Sequence, residues 1–104
     1  MFNEKCSQNS FALKIKGDAM KATILGNPSF NENDVIICDP EIKPNPGDFV
    51  IAQQHDKPEP ILRQLIEDQG SLFLKPMNHQ YPLIPIDHNV DILASLVSHI
   101  RSYR

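Results

Sequence analysis

The chain has 104 residues and a formal net charge of −3, with 40% apolar and 22% charged residues. This length fits one domain with a modest core, which buries about 65% of the surface that the unfolded chain exposes. The acidic balance argues against direct binding of this segment to DNA or to an anionic membrane, because phosphate binding needs a concentrated basic surface.

The chain carries no targeting or membrane signal that can be read from its sequence. No apolar run approaches the roughly 20 residues of a membrane span, and no signal-peptide pattern opens the sequence. Cys6 and Cys38 lack metal-ligand spacing and are predicted to be reduced thiols. We therefore predict a cytoplasmic protein that uses no metal and no cofactor and does not bind a membrane.

The first part of the chain predicts a tail, a strand and a turn. Residues 1–10 are polar and lack periodicity, which predicts a tail or linker remnant before a folded domain over 11–104. Phe11–Lys16 alternates apolar and polar residues, as a half-buried strand does, and Gly17-Asp18 predicts a turn after it. Ala19–Leu25 is long enough for one or two helical turns.

Short apolar runs between turn signals predict the middle strands. The predicted strands are Val35–Cys38, Phe49–Ala52, Ile61–Ile66 and Ser71–Lys75. Gln53–Pro60 is polar and rich in proline, which predicts a loop at a hairpin tip, and Pro76–Pro85 is predicted to be extended.

The last apolar stretch, Val90–Ile100, fits a strand or a helix by its length. Its β-branched residues and the surrounding strands favour a strand. Short strands with turns every eight to twelve residues or so predict an all-β sandwich or barrel, with at most one or two short helical turns.

Isolated titratable residues give weak functional signals. Six aspartates fall in predicted turns, where the side chain caps backbone N–H groups, and this turn role outweighs acid–base catalysis for each of them: Asp18, Asp34, Asp39, Asp48, Asp68 and Asp87. The four histidines show no ligand spacing and are predicted to be ordinary surface or turn residues: His55, His79, His88 and His99.

The order of short motifs is more specific than any one of them. The motifs are Gly17-Asp18-Ala19-Met20, Asp39-Pro40, Pro46–Ala52, Ile61–Leu65 and Leu72–Pro85. In this order they resemble the C-terminal domain of the LexA and lambda-repressor group of self-cleaving regulators, and most closely its phage-repressor branch. The resemblance covers about residues 11–100 and implies a LexA/signal-peptidase-like barrel or sandwich of short antiparallel strands.

The resemblance also implies a catalytic pair that this chain lacks. In the family a serine nucleophile occupies the position of Ala19, and a lysine that acts as its general base aligns with Arg63. A lysine accepts the proton only when burial lowers its pKa, whereas arginine stays protonated in proteins and alanine has no nucleophile. We therefore predict a degenerate Ser-Lys dyad at Ala19 and Arg63, with no catalytic residues.

No other residue restores that pair in the sequence. Ser29 and Ser71 lie outside the turn before Met20, while Lys57 lies in a polar loop and Lys75 at a strand end. The family's cleavage site, a small residue followed by glycine, is also absent upstream of the turn, where the only glycine follows a lysine.

The resemblance implies a non-catalytic domain that dimerises or oligomerises a phage-type transcriptional repressor. DNA would be bound through a helix-turn-helix domain upstream of this sequence, and an antirepressor protein would release the repressor in place of self-cleavage. The last strand contributes to self-association in relatives, and its candidate interface residues here are Ile92, Leu93, Leu96, Val97 and Ile100. Relatives often carry glycine at the position of Ala94 in this strand. The alternative is that the strand belongs only to the core of the domain and makes no contact with another chain.

Two further hypotheses stay open. The chain could be an active self-cleaving serine peptidase carrying an engineered Ser→Ala change at position 19, although this leaves Arg63 unexplained. It could also be a small-molecule or peptide-binding β module in which Arg63 holds a carboxylate. If Arg63 is buried without a ligand, it needs a carboxylate neighbour, for which Asp18 is the predicted residue.

Overall fold

The computed structural model of the chain describes residues 7–101. Over these residues seven strands form one antiparallel sheet that curls into a half-barrel, and no helix occurs. The strands are β1 (Phe11–Lys14), β2 (Val35–Asp39), β3 (Phe49–Gln54), β4 (Ile61–Asp68), β5 (Ser71–Lys75), β6 (Ile84–Pro85) and β7 (Val90–Ile100). The predicted all-β fold is confirmed.

The predicted strands are present with differences at their ends, whereas the predicted helical turns are absent from the described residues. The segment Ala19–Leu25 forms turns rather than helix, and one of them is closed by the Lys21 N–H, which donates to the Asp18 carbonyl at 3.1 Å. Val90–Ile100 is a strand over the predicted range.

Cys6 lies outside the described residues. No helix in the described part of the chain is long and apolar enough to cross a membrane.

The strands follow the order β1-β2-β7-β3-β4-β5-β6 across the sheet. The C-terminal half of β7 pairs with β2, and its N-terminal half pairs with β3. Ser95 belongs to both pairings, opposite Asp39 on one side and Val50 on the other. The last strand therefore joins two parts of the chain that are separated in sequence.

β7 contains two irregularities in its pairing. Its register with β3 shifts between Ala94 and Ile92, and its register with β2 shifts between Ser98 and Leu96. Leu93 and Val97 are thus extra residues opposite a continuous partner strand, as in β-bulges. Bulges redirect side chains, so these two residues leave the regular alternation of β7.

Apolar side chains cover both faces of the sheet. One cluster includes Met20, Phe30, Ile36 and Ile51, and it lies under the turn that follows β1. A second cluster consists of the buried residues Val50, Ala52, Leu65 and Leu74. Neighbouring residues of β3 enter different clusters because successive side chains in a strand point to opposite faces. This explains why its apolar run is continuous rather than alternating.

Four of the six aspartates predicted to lie in turns accept nearby backbone N–H groups. The Asp34 carboxylate accepts the Asn31 N–H at 2.9 Å, the Asp48 carboxylate accepts the Asn45 N–H at 2.9 Å, and the Asp87 carboxylate accepts the Asn89 N–H at 2.8 Å. Asp39 accepts the Glu41 N–H at 2.9 Å. These contacts fix the connections that lead into and out of the strands.

Part of the segment predicted to be a tail contacts the sheet. The backbone N–H and the hydroxyl of Ser7 each donate to the Asp39 carboxylate at 2.7 Å. The Asn9 side-chain amide also donates to Glu41. The Ser7 bonds stabilise the charged carboxylate and hold the pKa of Asp39 below its usual value.

Asp39 should couple stability to pH at the acidic end. A carboxyl whose pKa is lower in the folded chain contributes stability above its unfolded pKa of about 3.9, and this contribution is lost as pH falls through the folded pKa. We expect Asp39→Asn to be less stable than the unmodified chain at pH 7, with the difference shrinking below about pH 4. Urea unfolding at several pH values measures it, with exposed Asp56→Asn as the control. A difference that stays constant with pH would contradict the coupling.

Candidate functional site

The turn after β1 is fixed at both of its ends. Gly17 has a φ of 77°, in the left-handed region that favours glycine, and its N–H donates to the Glu32 carboxylate at 3.3 Å. Met20 is buried in the core, and its carbonyl accepts the Phe30 N–H at 2.9 Å. Ala19 is therefore held on a turn whose entry and exit are both constrained.

Asn78 ties this turn to the segment between β5 and β6. Its backbone N–H donates to the Ala19 carbonyl at 2.9 Å, and its side-chain amide donates to the Asp18 carbonyl at 3.2 Å. Its side-chain oxygen accepts the Gln80 N–H at 3.0 Å. The sequence placed Asn78 in a motif but assigned it no contact, because its partner lies 60 residues away.

Tyr81 makes a second link between the two segments. Its hydroxyl donates to the Asp18 carboxylate at 2.5 Å, and its backbone N–H donates to the Asn78 carbonyl at 3.0 Å. The hydrogen bond to Asp18 raises the pKa of Tyr81, and so does the negative charge of that carboxylate. Tyr81 thus stays protonated and works as a hydrogen-bond donor near neutral pH.

Arg63 is buried on β4, where it pairs in register with Val50. Only 9% of the residue is exposed. Its Nη1 donates to the neighbouring Leu62 carbonyl at 2.7 Å, its Nε has no hydrogen-bond partner, and its guanidinium carbon lies 6.0 Å from the centre of the Tyr81 ring. Burial lowers the pKa of Arg63 and the Tyr81 phenol opposes this effect, yet arginine remains charged at any ordinary pH.

The prediction that Asp18 neutralises Arg63 is wrong. Across residues 7–101, no carboxylate lies within 4.0 Å of the Arg63 side-chain nitrogens. The Asp18 carboxylate instead accepts the Tyr81 hydroxyl, because the segment between β5 and β6 brings this hydroxyl directly over the turn.

A cleft of about 410 Å³ lies between β1, the turn that follows it and the start of β4. Ala19 and Arg63 both line it, so the fold brings the two positions to one site. In the described part of the chain, the lining contains no serine, threonine or cysteine. The residues considered above as a replacement nucleophile or base also lie outside the lining: Ser29, Ser71, Lys57 and Lys75. Ser29 instead accepts the Ala22 N–H at 3.0 Å.

The four histidines and the Cys38 thiol do not line the cleft. His55 contacts the Asp91 carboxylate at 3.0 Å, and His99 contacts the Asp34 carboxylate at 2.7 Å while its ring packs on Phe30. Burial raises the pKa of the Cys38 thiol to about 12, which makes it unreactive at neutral pH. No group of three or more metal-ligating side chains occurs among residues 7–101.

The five residues proposed for self-association do not share one environment. Ile92 and Leu96 pack against the two core clusters. Leu93 is 41% exposed, Ile100 is 50% exposed, and Val97 is half-buried. Leu93 and Ile100 are therefore the two members of the set with clearly exposed apolar surface.

Comparisons with known proteins agree with this architecture. The family model described as Peptidase S24-like matches residues 1–97. The chain is similar to Repressor protein C2 of Salmonella phage P22, with 39% identity over 92 residues. It is also similar to the HTH-type transcriptional regulator for conjugative element R391 of Providencia rettgeri, with 40% identity over 90 residues, and to Prophage repressor CohE of Escherichia coli (strain K12), with 32% identity over 94 residues.

The matches cover most of this chain but less than half of each relative. They include 88%, 86% and 88% of this chain, and 42%, 41% and 39% of the three relatives respectively. The chain thus spans about two fifths of the length of the curated relatives it matches.

Asn78 should be important for the stability of the turn. We expect Asn78→Ala to lower the free energy of unfolding by about 1–3 kcal/mol, because it removes the bond to the Asp18 carbonyl and leaves that carbonyl and the Gln80 N–H without their side-chain partner. Urea unfolding measures the change. His79→Ala, an exposed neighbour, is the control and should change the stability by less than about 0.5 kcal/mol. Equal effects of the two substitutions would refute the assigned role.

Proposed function

Because the chain belongs to the Peptidase S24-like family, we propose that it is the non-catalytic dimerisation domain of a phage-type transcriptional repressor. The names of its relatives, which are repressors and HTH-type regulators, support the repressor part of this proposal. DNA is then bound through a separate N-terminal domain of the full protein, in the cytoplasm. Two linked DNA-binding domains engage paired half-sites better than one because binding of the first raises the effective concentration of the second.

The presence of Ala19 and Arg63 in one cleft is the observation that carries the non-catalytic assignment. A Ser-Lys peptidase needs a hydroxyl on the turn and a neutral amine on the facing strand. Here the turn carries a methyl group and the facing strand carries a permanent cation. The site therefore has neither the nucleophile nor the base at the two positions where the family resemblance expects them.

The second candidate function is an active self-cleaving serine peptidase in which Ser→Ala was introduced at position 19. The fixed turn favours it, since the hydrogen bonds from Asn78 and Phe30 would hold a nucleophile in place. Arg63 argues against it, because an arginine does not accept the serine proton.

The proposed dimer uses the exposed Leu93 and Ile100 of β7 together with the half-buried Val97. Leu93 and Val97 leave the regular strand alternation at the two bulges, and Ile100 follows near the end of the same strand. Such a surface releases water from apolar groups when two copies meet. Ile92 and Leu96 serve the core instead, so the self-association surface is narrower than the sequence suggests.

Release of the repressor then needs another trigger than self-cleavage. We propose an antirepressor protein that binds the folded chain and shifts it away from its DNA-binding form, as any ligand with differential affinity does. This proposal rests on the proposed loss of the Ser-Lys dyad.

A cleavage assay separates the two candidate functions. The substrate is a peptide that contains an Ala-Gly bond. We expect neither the unmodified chain nor the Ala19→Ser variant to cleave it, even at alkaline pH, because Arg63 remains protonated. The double variant Ala19→Ser with Arg63→Lys tests whether the cleft geometry supports the reaction once both groups are supplied. Mass spectrometry of the peptide measures the products. Cleavage by Ala19→Ser alone would overturn the non-catalytic assignment.

Sedimentation tests the dimer and its surface. We expect the unmodified chain to be dimeric at tens of micromolar, and we expect Leu93→Lys to weaken dimerisation by roughly tenfold or more, because it buries an unpaired charge at the contact. Leu83→Lys is the matched control, since Leu83 is also exposed but lies outside β7. A strict monomer, or equal effects of the two substitutions, would contradict the assignment.

A further inference from the structure

Asp39 is a buried carboxylate at the end of β2. The residue is 0% exposed. Donors to its carboxylate include the Ser7 N–H and the Ser7 hydroxyl at 2.7 Å each, and the Glu41 N–H at 2.9 Å. A buried charge is unfavourable unless hydrogen bonds compensate for its lost hydration. The segment before β1 thus supplies two of the hydrogen bonds that keep this charge inside the fold.

Residues 7–10 form a compact turn over Asp39, and we call these residues the strap. The Ser7 carbonyl accepts the Ser10 N–H at 3.2 Å, and the Ser7 hydroxyl accepts the Asn9 N–H at 3.2 Å. The Asn9 side-chain amide donates to Glu41. Ser7 therefore both shapes the strap and attaches it to the buried carboxylate, which makes Ser7 its main anchor.

The strap is held by polar contacts rather than by apolar burial. Its four residues are all polar, and Gln8 and Asn9 are exposed. Hydrogen bonds to a charged acceptor are stronger than neutral ones, but ordering four residues carries an entropic cost of comparable size. A segment with few apolar contacts and a small net stability opens locally while the rest of the structure stays folded.

The strap and the cleft lie at opposite ends of β1. The strap precedes Phe11, which pairs with Cys38 beside Asp39, whereas the cleft lining begins at Leu13 and continues into the turn. When the strap is closed, the preceding chain leaves the domain at Ser7. An open strap moves this point to Phe11, and the four released residues extend the reach of the preceding chain by up to about 13 Å.

We propose that the strap opens and closes reversibly on Asp39 while the sheet stays folded, and that its state sets where the preceding chain leaves the domain. The consequence for DNA rests on the proposed repressor function. Two open straps add up to about 26 Å to the span between two DNA-binding domains, against roughly 34 Å between half-sites one helical turn apart. Opening thus changes the effective concentration of the second domain at its half-site.

The first test measures hydrogen exchange of the Ser7 N–H by NMR on the unmodified chain. We expect this exchange to be about tenfold or more slower than in an unstructured peptide of the same sequence, and about a hundredfold or more faster than for the Ile51 N–H in β3. Exchange as fast as in the peptide would show that the strap is not closed. Exchange as slow as that of Ile51 would show that it opens only when the sheet unfolds. Either result would overturn the proposal.

Variants of the strap test its anchor. Ser7→Ala removes the hydroxyl that bonds Asp39 and Asn9, so exchange of the N–H at position 7 should rise by about tenfold. The order parameters of residues 8–10 should fall from about 0.85 towards about 0.6. Ser7→Thr keeps a hydroxyl and should preserve both values, and Gln8→Ala, which changes an exposed residue of the same strap, is the matched control. Equal effects of Ser7→Ala and Gln8→Ala would overturn the role of Ser7.

A variant of the carboxylate tests the other side of the contact. Asp39→Asn keeps the shape of the side chain but removes its charge, and we expect exchange at position 7 to rise by about tenfold or more. Unchanged exchange would overturn the proposal. If Asp39→Asn does not fold, the comparison of Ser7→Ala with Ser7→Thr decides. These measurements report on the strap in a monomer and in a dimer alike, so the strap can fail while the repressor function holds, and the reverse.

Discussion

The last strand, β7, holds the sheet together because β2 pairs along one of its edges and β3 along the other. Without it, the β1–β2 pair would have no strand contact with the rest of the described sheet. The buried Ser95 lies where both pairings meet, and its hydroxyl donates to the Ile42 carbonyl at 2.8 Å, which also fixes the loop between β2 and β3. These contacts join residues far apart in sequence, so the sheet closes only after most of the chain has been ordered.

This dependence on distant pairing explains what the sequence could and could not predict. The apolar run Val35–Cys38 predicts a strand locally, and β2 covers it with one further residue. Val90–Ile100 also fits a helix by its length, and its β-branched residues together with the surrounding strands gave the correct assignment. The insertion of β7 between β2 and β3 is not encoded in either run. The contact of Ser7 with Asp39 was not predicted for the same reason. The polar composition of a segment does not show that its backbone will bind a carboxylate 32 residues away.

The candidate site divides in a similar way. The resemblance to a peptidase family paired Ala19 with Arg63, and the fold places both in one cleft. The hydrogen bonds that fix the turn were not predicted, because Asn78 and Tyr81 approach it from a distant segment. The predicted pairing of Asp18 with Arg63 is wrong because the Asp18 carboxylate accepts the Tyr81 hydroxyl instead. A phenol hydroxyl is also a strong hydrogen-bond donor, so a carboxylate can be satisfied without a cation.

An arginine at the position where the family resemblance implies a lysine changes the electrostatics of the cleft, although both side chains can carry the same charge. A buried lysine can lose its proton and become neutral, which removes the cost of burying a cation. Arg63 has no such route, and the Tyr81 ring supplies only a weak, distant compensation. The cost of this charge is therefore present in the folded chain.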